Sequence, residues 1–253
     1  MMRRIFTFLI AVVLLTSCSG LDTDNEVQVT IQFTHNWDGF VVDDTSFNSF
    51  QFQTANGENV SIERLRYVVS QLELVGNRNN NILTQEYNLV DVGDGTGLQL
   101  SASNVIAGDY KLSFRFGFAD ADNQDGIYQD LNVASFNVPT MLGGGYHYMQ
   151  FDGKYKDVNN QDANFNYHVI RAANVTNPSS PVFLDTSFKV DLGTVTIRND
   201  VVIEVQMNVA EWFVNPNTWD LNALNTVLMP NFNAQLLMSQ NGKSVFSLGS
   251  VTQ

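Results

Sequence analysis

The run Asp109-Tyr110-Lys111-Leu112-Ser113-Phe114-Arg115-Phe116-Gly117-Phe118 alternates polar and apolar residues. A period of two puts Phe114, Phe116 and Phe118 on one face and Arg115 on the other, which is a half-buried strand. The same alternation returns in Val27–Phe33, Val68–Val75, Tyr87–Val92, Ser187–Ile197, Val201–Val209 and Ser244–Leu248. Turn residues separate the runs, such as Asp38-Gly39, Asn56-Gly57, Gly93-Asp94-Gly95 and Arg198-Asn199-Asp200. The last of these reads as a hairpin joining its flanking strands. Ser61–Tyr67 reads as a helical turn, Asn77–Asn81 as a polar turn, and Leu221–Leu228 and Asn233–Ser239 as short helices or loops. Many short strands with no internal repeat predict an all-β fold, an antiparallel β-sandwich of Greek-key type with long loops.

The first 17 residues predict a leader outside that fold. Arg3 and Arg4 precede an apolar run from Ile5 to Leu15, shorter than the ~20 residues that span a bilayer. Leu15-Thr16-Ser17-Cys18 resembles the lipobox of bacterial lipoproteins, and Cys18 is the chain's one cysteine. The resemblance implies that Cys18 is lipidated after cleavage and tethers the protein to a membrane through residues 18–26. Acyl chains at ~0.8 kcal/mol per buried methylene hold stably when more than one is present. The acids in Ser19–Glu26 loosely resemble a surface-export signal. Cleavage leaves no second thiol for a disulfide, so one domain over 27–253 must hold itself by its core. The implied setting is the bacterial envelope, at the outer membrane on its periplasmic or surface side.

Acidic residues number 26 against 13 basic, for a net charge of −13. That balance excludes nucleic acid as a partner, because such binding rests on Lys and Arg meeting phosphates. No nucleophile motif, phosphate loop or paired general acid and base is marked, so the chain reads as a binding protein and not an enzyme. Asp120, Asp122 and Gln124 mimic the first ligands of a calcium loop. Asp125 stands where that loop needs Gly, however, and Leu131 where it needs Glu, so the segment reads as a solvated loop.

Metal chemistry has one candidate place. Met141-Leu142-Gly143-Gly144-Gly145-Tyr146-His147-Tyr148-Met149 leads into one strand, and Phe165–Ile170, with His168, forms the next. Paired strands bring opposed Cβ atoms to ~4.5–5.5 Å, within which two imidazoles reach one ion. His147 and His168 are therefore candidate ligands, with Met141 and Met149 as thioether donors suited to Cu(I). The alternative is that the histidines are hydrogen-bonded strand residues and the methionines are packing. If an ion binds, ordinary His titration predicts weakening as pH falls through ~6.5.

The order of several pieces resembles the MbnP-like family, named for a copper-binding periplasmic protein associated with methanobactin. They are Val27–Phe33, Leu65–Leu74, Phe114–Phe118, Met141 through Gly145-Tyr146 with Phe151-Asp152-Gly153-Lys154-Tyr155, His168, and Met229 through Gln240–Phe246. The resemblance implies a β-sandwich in the envelope. In copper-binding members, His side chains and a Trp oxidised to kynurenine surround the metal. His168 matches the family's position; His147 and His35 have no assigned match. This chain lacks the Trp-x-Trp pattern expected between Met141 and Tyr146, and Trp37, Trp212 and Trp219 lie elsewhere. Two functions stay open: copper binding through His side chains, and an accessory lipoprotein that binds another envelope protein or a glycan without metal.

Overall fold

A computed structural model of the chain describes residues 26–76, 81–83 and 86–253. The leader, Cys18 and most of the tether lie outside these residues, as does most of the polar turn expected at 77–81. Among the described residues fifteen strands follow in order: β1 (Glu26–Trp37), β2 (Phe40–Val41), β3 (Phe52–Gln53), β4 (Asn59–Gly76) and β5 (Asn81–Leu83). Then come β6 (Tyr87–Asp91), β7 (Gln99–Ile106), β8 (Gly108–Phe116), β9 (Met149–Lys156) and β10 (Asp162–Val169). The last five are β11 (Ala172–Asn174), β12 (Val182–Leu184), β13 (Phe188–Ile197), β14 (Val201–Asn208) and β15 (Phe246–Thr252). The α-helices α1 (Gln129–Val133) and α2 (Phe232–Gly242) interrupt them.

The strands build an all-β sandwich. One sheet runs β15-β14-β1-β2, with β7 also on β1; the other runs β10-β9-β4-β8-β13, with β3, β5 and β6 also on β4. Aromatic rings fill the space between. Phe33 of β1 meets Phe114 of β8 at 6.2 Å and Tyr67 of β4 at 6.5 Å, edge to face. Phe116 stacks on Phe188 at 5.0 Å and touches Trp212 at 5.2 Å. Edge contacts of this kind add stabilisation beyond the area they bury.

Four expectations change. Residues 61–67 are not a helical turn but part of the 18-residue β4. That strand pairs with β9 and then β8 along one side and with β6 on the other, and pairing overrides a weak local preference. Ser187–Ile197 and Val201–Val209 are strands but not a hairpin. β13 pairs with β8 in one sheet, while β14 lies between β1 and β15 in the other. The Arg198–Asp200 turn is thus a corner between layers. Pairing among the described strands is antiparallel except for β1 with β14, which run parallel. Phe118 also leaves the face expected of it: β8 ends at Phe116, Gly117 takes φ +78°, and Phe118 joins Tyr87, Tyr128 and Tyr146.

One glycine shows how closely the central strands approach. A Cβ on Gly153 of β9 would stand 2.1 Å from the Ser61 carbonyl of β4. This is where the β4–β9 register slips by one residue, between Ile62 and Arg64. A side chain there would force the two strands apart.

Candidate metal centre

The long connection from β8 to β9 delivers His147. Its acidic segment, residues 120–126, read from the sequence as a solvated loop, packs on the glycine run. Asp125 Oδ1 accepts the Gly145 amide and Asn123 Oδ1 the Tyr146 amide, both at 2.8 Å. Gly143, Gly144 and Gly145 all have positive φ, a conformation that glycine adopts at little cost. The clamp sets the backbone so that His147 donates its amide to the Phe136 carbonyl at 2.8 Å. The same carbonyl lies 2.8 Å from His147 Nδ1.

His168 arrives from β10. Its cross-strand partner is Gln150, not His147, which lies before the ladder begins at Met149. The two imidazoles nevertheless meet, with ring centroids 5.1 Å apart and planes at 85°. The outward face of β4, β9 and β10 forms the bed. Asp152 Oδ1 accepts from His168 Nε2 at 2.8 Å and from Asn166 Nδ2 at 2.5 Å, and Oδ2 accepts from Arg64 Nε at 2.6 Å. Arg66 donates to Gln150 Oε1 at 2.8 Å and to the Ala134 carbonyl at 2.9 Å. Gln150 donates to the Ser135 carbonyl at 3.1 Å, so the segment before His147 is tied to the sheet.

The hydrogen bonds fix the tautomers. A carbonyl only accepts, so His147 carries its proton on Nδ1. Burial lowers its pKa to about 4, although the Phe136 bond opposes this, and the ring is neutral at pH 7. The lone pair is then on Nε2, which stands 3.1 Å from the sulfur of Met229. Thioether sulfur carries no proton either, so two lone-pair atoms face each other. In His168 the carboxylate of Asp152 accepts the proton on Nε2, which turns Nδ1 away from that bond. Burial would raise the Asp152 pKa, but its hydrogen bond and electrostatic interaction with His168, followed by the Asn166 bond and the Arg64 charge, outweigh it and hold the group at about 2. Among the described residues no three His, Cys, Asp or Glu side chains are grouped to hold a metal ion. Donors here amount to two imidazoles and a thioether.

Neither methionine expected from the sequence is that thioether. Met149 lies opposite Val169 and Tyr67 in the ladders, so it faces the core, on the other side of the sheet from His168. It is fully buried there. Met141 sits on a 3₁₀ turn, Thr140–Leu142, and is 78 % exposed. Met229 takes the place instead, packed on a small apolar cluster of Val138, Leu142, Ile170 and Ala173. Its sequence signal is slight: one Met after Val227-Leu228 and before Pro230, where an apolar residue reads as packing. His35 is remote from this site by its partners: it lies on β1 in the other sheet, with Nε2 3.0 Å from Tyr67 Oη. Trp37, Trp212 and Trp219 are buried in the main core.

A sequence model of the MbnP family matches residues 26–230. The chain belongs to the MbnP family. Among solved structures it is similar to MbnP from Methylosinus trichosporium, at 14% identity. The superposition covers 89% of this chain and 99% of that chain with a TM-score of 0.54. At that identity the likeness establishes the shared fold. A search of curated proteins returns no match. The span matched by the MbnP model takes in His147, His168 and Met229 and stops just short of α2.

Proposed function

We propose that this MbnP-family protein is a lipid-anchored binding protein of the cell envelope, not an enzyme, and that it carries copper as Cu(I). His147 Nε2 and Met229 sulfur would hold the ion, and His168 Nδ1 would add a second imidazole. The observation that supports this most is the 3.1 Å approach of two unprotonated donors, Nε2 and Sδ. A shared soft cation would turn that mutual repulsion into two bonds. Thioether and imidazole suit Cu(I), whereas a structural Zn²⁺ site ordinarily uses four ligands. Asp152 would act behind His168 by fixing which nitrogen is free, as carboxylates do behind metal-bound imidazoles. The absent Trp-x-Trp pattern points to weaker binding than in the family's copper binders.

The test is competition titration with a Cu(I) chelator under reducing conditions. Wild type should bind one Cu(I). Met229→Leu and His147→Ala should each weaken binding by tenfold or more, as order-of-magnitude losses; His168→Ala should weaken it less. Equal affinity in all four proteins, or none in wild type, would end this reading. Anchoring has its own test. Cys18→Ser should move the protein out of the membrane fraction or leave its leader uncleaved, and unchanged fractionation with unchanged mass would oppose the anchor.

A further inference from the structure

A second concavity belongs to the other sheet and shares no residue with His147, His168 or Met229. It is a cleft of about 550 Å³, within the ~300–1,000 Å³ range of small-molecule sites. The cleft opens where β1 changes partners. Residues 26–32 of β1 pair with β7 and residues 36–37 with β2. Between them, Phe33 donates its amide to Leu98 at 2.8 Å and Val42 donates to His35 at 3.0 Å. The sheet edge parts there, and the side chains of Val42, Val92 and Leu98 form an apolar wall.

The polar wall has one sign. Asp43, Asp44 and Glu204 line the cleft, and among the described residues no Lys or Arg does. Asp43 is turned back on its own loop, accepting from the Thr45 amide at 3.0 Å and from Thr45 Oγ1 at 2.6 Å. Asp44, beside it, is exposed. Glu204 Oε1 accepts from Thr34 Oγ1 and Oε2 from the Ser250 amide, both at 2.9 Å. The Ser250 amide leads the effects that hold Glu204 at about 2, so it is ionised at neutral pH. His35 lines the cleft from the core side. Burial lowers its pKa to about 4, so it brings no positive charge to offset the acids.

We propose that this cleft binds a small organic cation, with an ammonium or guanidinium group set between Asp44 and Glu204 and a short apolar body against Val42, Val92 and Leu98. Charge-assisted bonds to carboxylate give such a ligand its orientation, and the apolar wall discriminates it from a metal ion or a bare amine. The inference is independent of copper, since none of its residues belongs to the histidine–methionine site and no probe in its test is a metal.

The experiment uses the mature chain and three probes of one shape: 2-phenylethylamine, 2-phenylethanol and phenylacetate. Binding is followed by calorimetry and by the ring signals of the three histidines. The amine is expected to bind and to shift His35 while leaving His147 and His168 unmoved. The alcohol should bind at least about tenfold more weakly, and the anion not at all. Asp44→Asn, an exposed isosteric change, should weaken the amine by about tenfold, and Val41→Trp, on the exposed β2 rim, should weaken all probes by narrowing the cleft. No amine binding at millimolar concentration, equal binding of amine and alcohol, an unaltered affinity in Asp44→Asn, or shifts centred on His147 would each overturn the proposal.

Discussion

Asp152 and His168 are joined diagonally across the β9–β10 pair, Oδ1 to Nε2 at 2.8 Å, while each has a different residue directly opposite. Asp152 faces three donors, from His168, Asn166 and Arg64. An amide in its place offers one acceptor oxygen and turns a donor toward donors. Asp152→Asn should therefore cost about 1–3 kcal/mol in urea unfolding, at the lower end because Arg64 is partly exposed. It should also change the tautomer of His168, read from its ¹⁵N shifts without any metal present. A retained Nε2–H tautomer would mean that the ring is held by something other than Asp152.

Phe116 joins the two layers through Phe188, Trp212, Phe246 and Tyr67. Truncation of a fully buried Phe typically costs ~3–5 kcal/mol. Phe116→Ala should lower the melting temperature clearly, and a shift within error would contradict its central place. Phe118→Ala should instead perturb the tyrosine group around Tyr128, visible in its ring signals.

Gly145 has φ +77°, and a Cβ there would stand 2.4 Å from Asn123 Oδ1. Gly145→Ala should lose about 1 kcal/mol or more, because the native backbone is incompatible with a side chain. The His147 ring signal should move with it. Loss of stability with an unmoved His147 signal would separate the glycine clamp from the site.

His35 and His147 are both buried with pKa values lowered to about 4. In the unfolded chain each takes up a proton near ~6.5. Between those values the unfolded state binds more protons, so stability is full above ~6.5 and falls as pH drops toward 4. The slope is about 1.4 kcal/mol per pH unit for each ring. Urea midpoints measured from pH 7.5 to 4.5 should show it, and His35→Gln should reduce the slope by about half. A flat profile would place a proton on these rings in the native state. For the same reason, protonation of His147 should not oppose Cu(I) until pH approaches 4, lower than the ~6.5 expected of an ordinary histidine.

Alternation made the main strands legible. Asp109–Phe118, Val27–Phe33 and the two histidine runs all contain strands at or near the expected residues, since period two is written locally. Which strand meets which is not local. Arg198-Asn199-Asp200 looks like any hairpin turn, and only the competing partners β8 and β1 send its two strands to different sheets. The site divides in the same way. His147 and His168 stand in adjacent runs and could be paired by inspection. Met149 has the right chemistry and the wrong parity, one residue from Gln150 on the other face of the sheet. Met229 lies 82 residues from His147, and nothing in its neighbourhood announces the contact.

The parallel pairing of β1 with β14 also bears on how the protein is made. Asp38, just past the end of β1, is bonded to Asn208, at the end of β14, across 170 residues of chain. β7 can cover one flank of β1 early, but the other flank waits for β14. Such distant closure is slow, because a long loop must be ordered before the contact forms. A chain emerging N-terminus first thus carries β1 with an open edge until the residues after Val201 arrive. Synthesis halted before that point would leave the edge unpaired and prone to association.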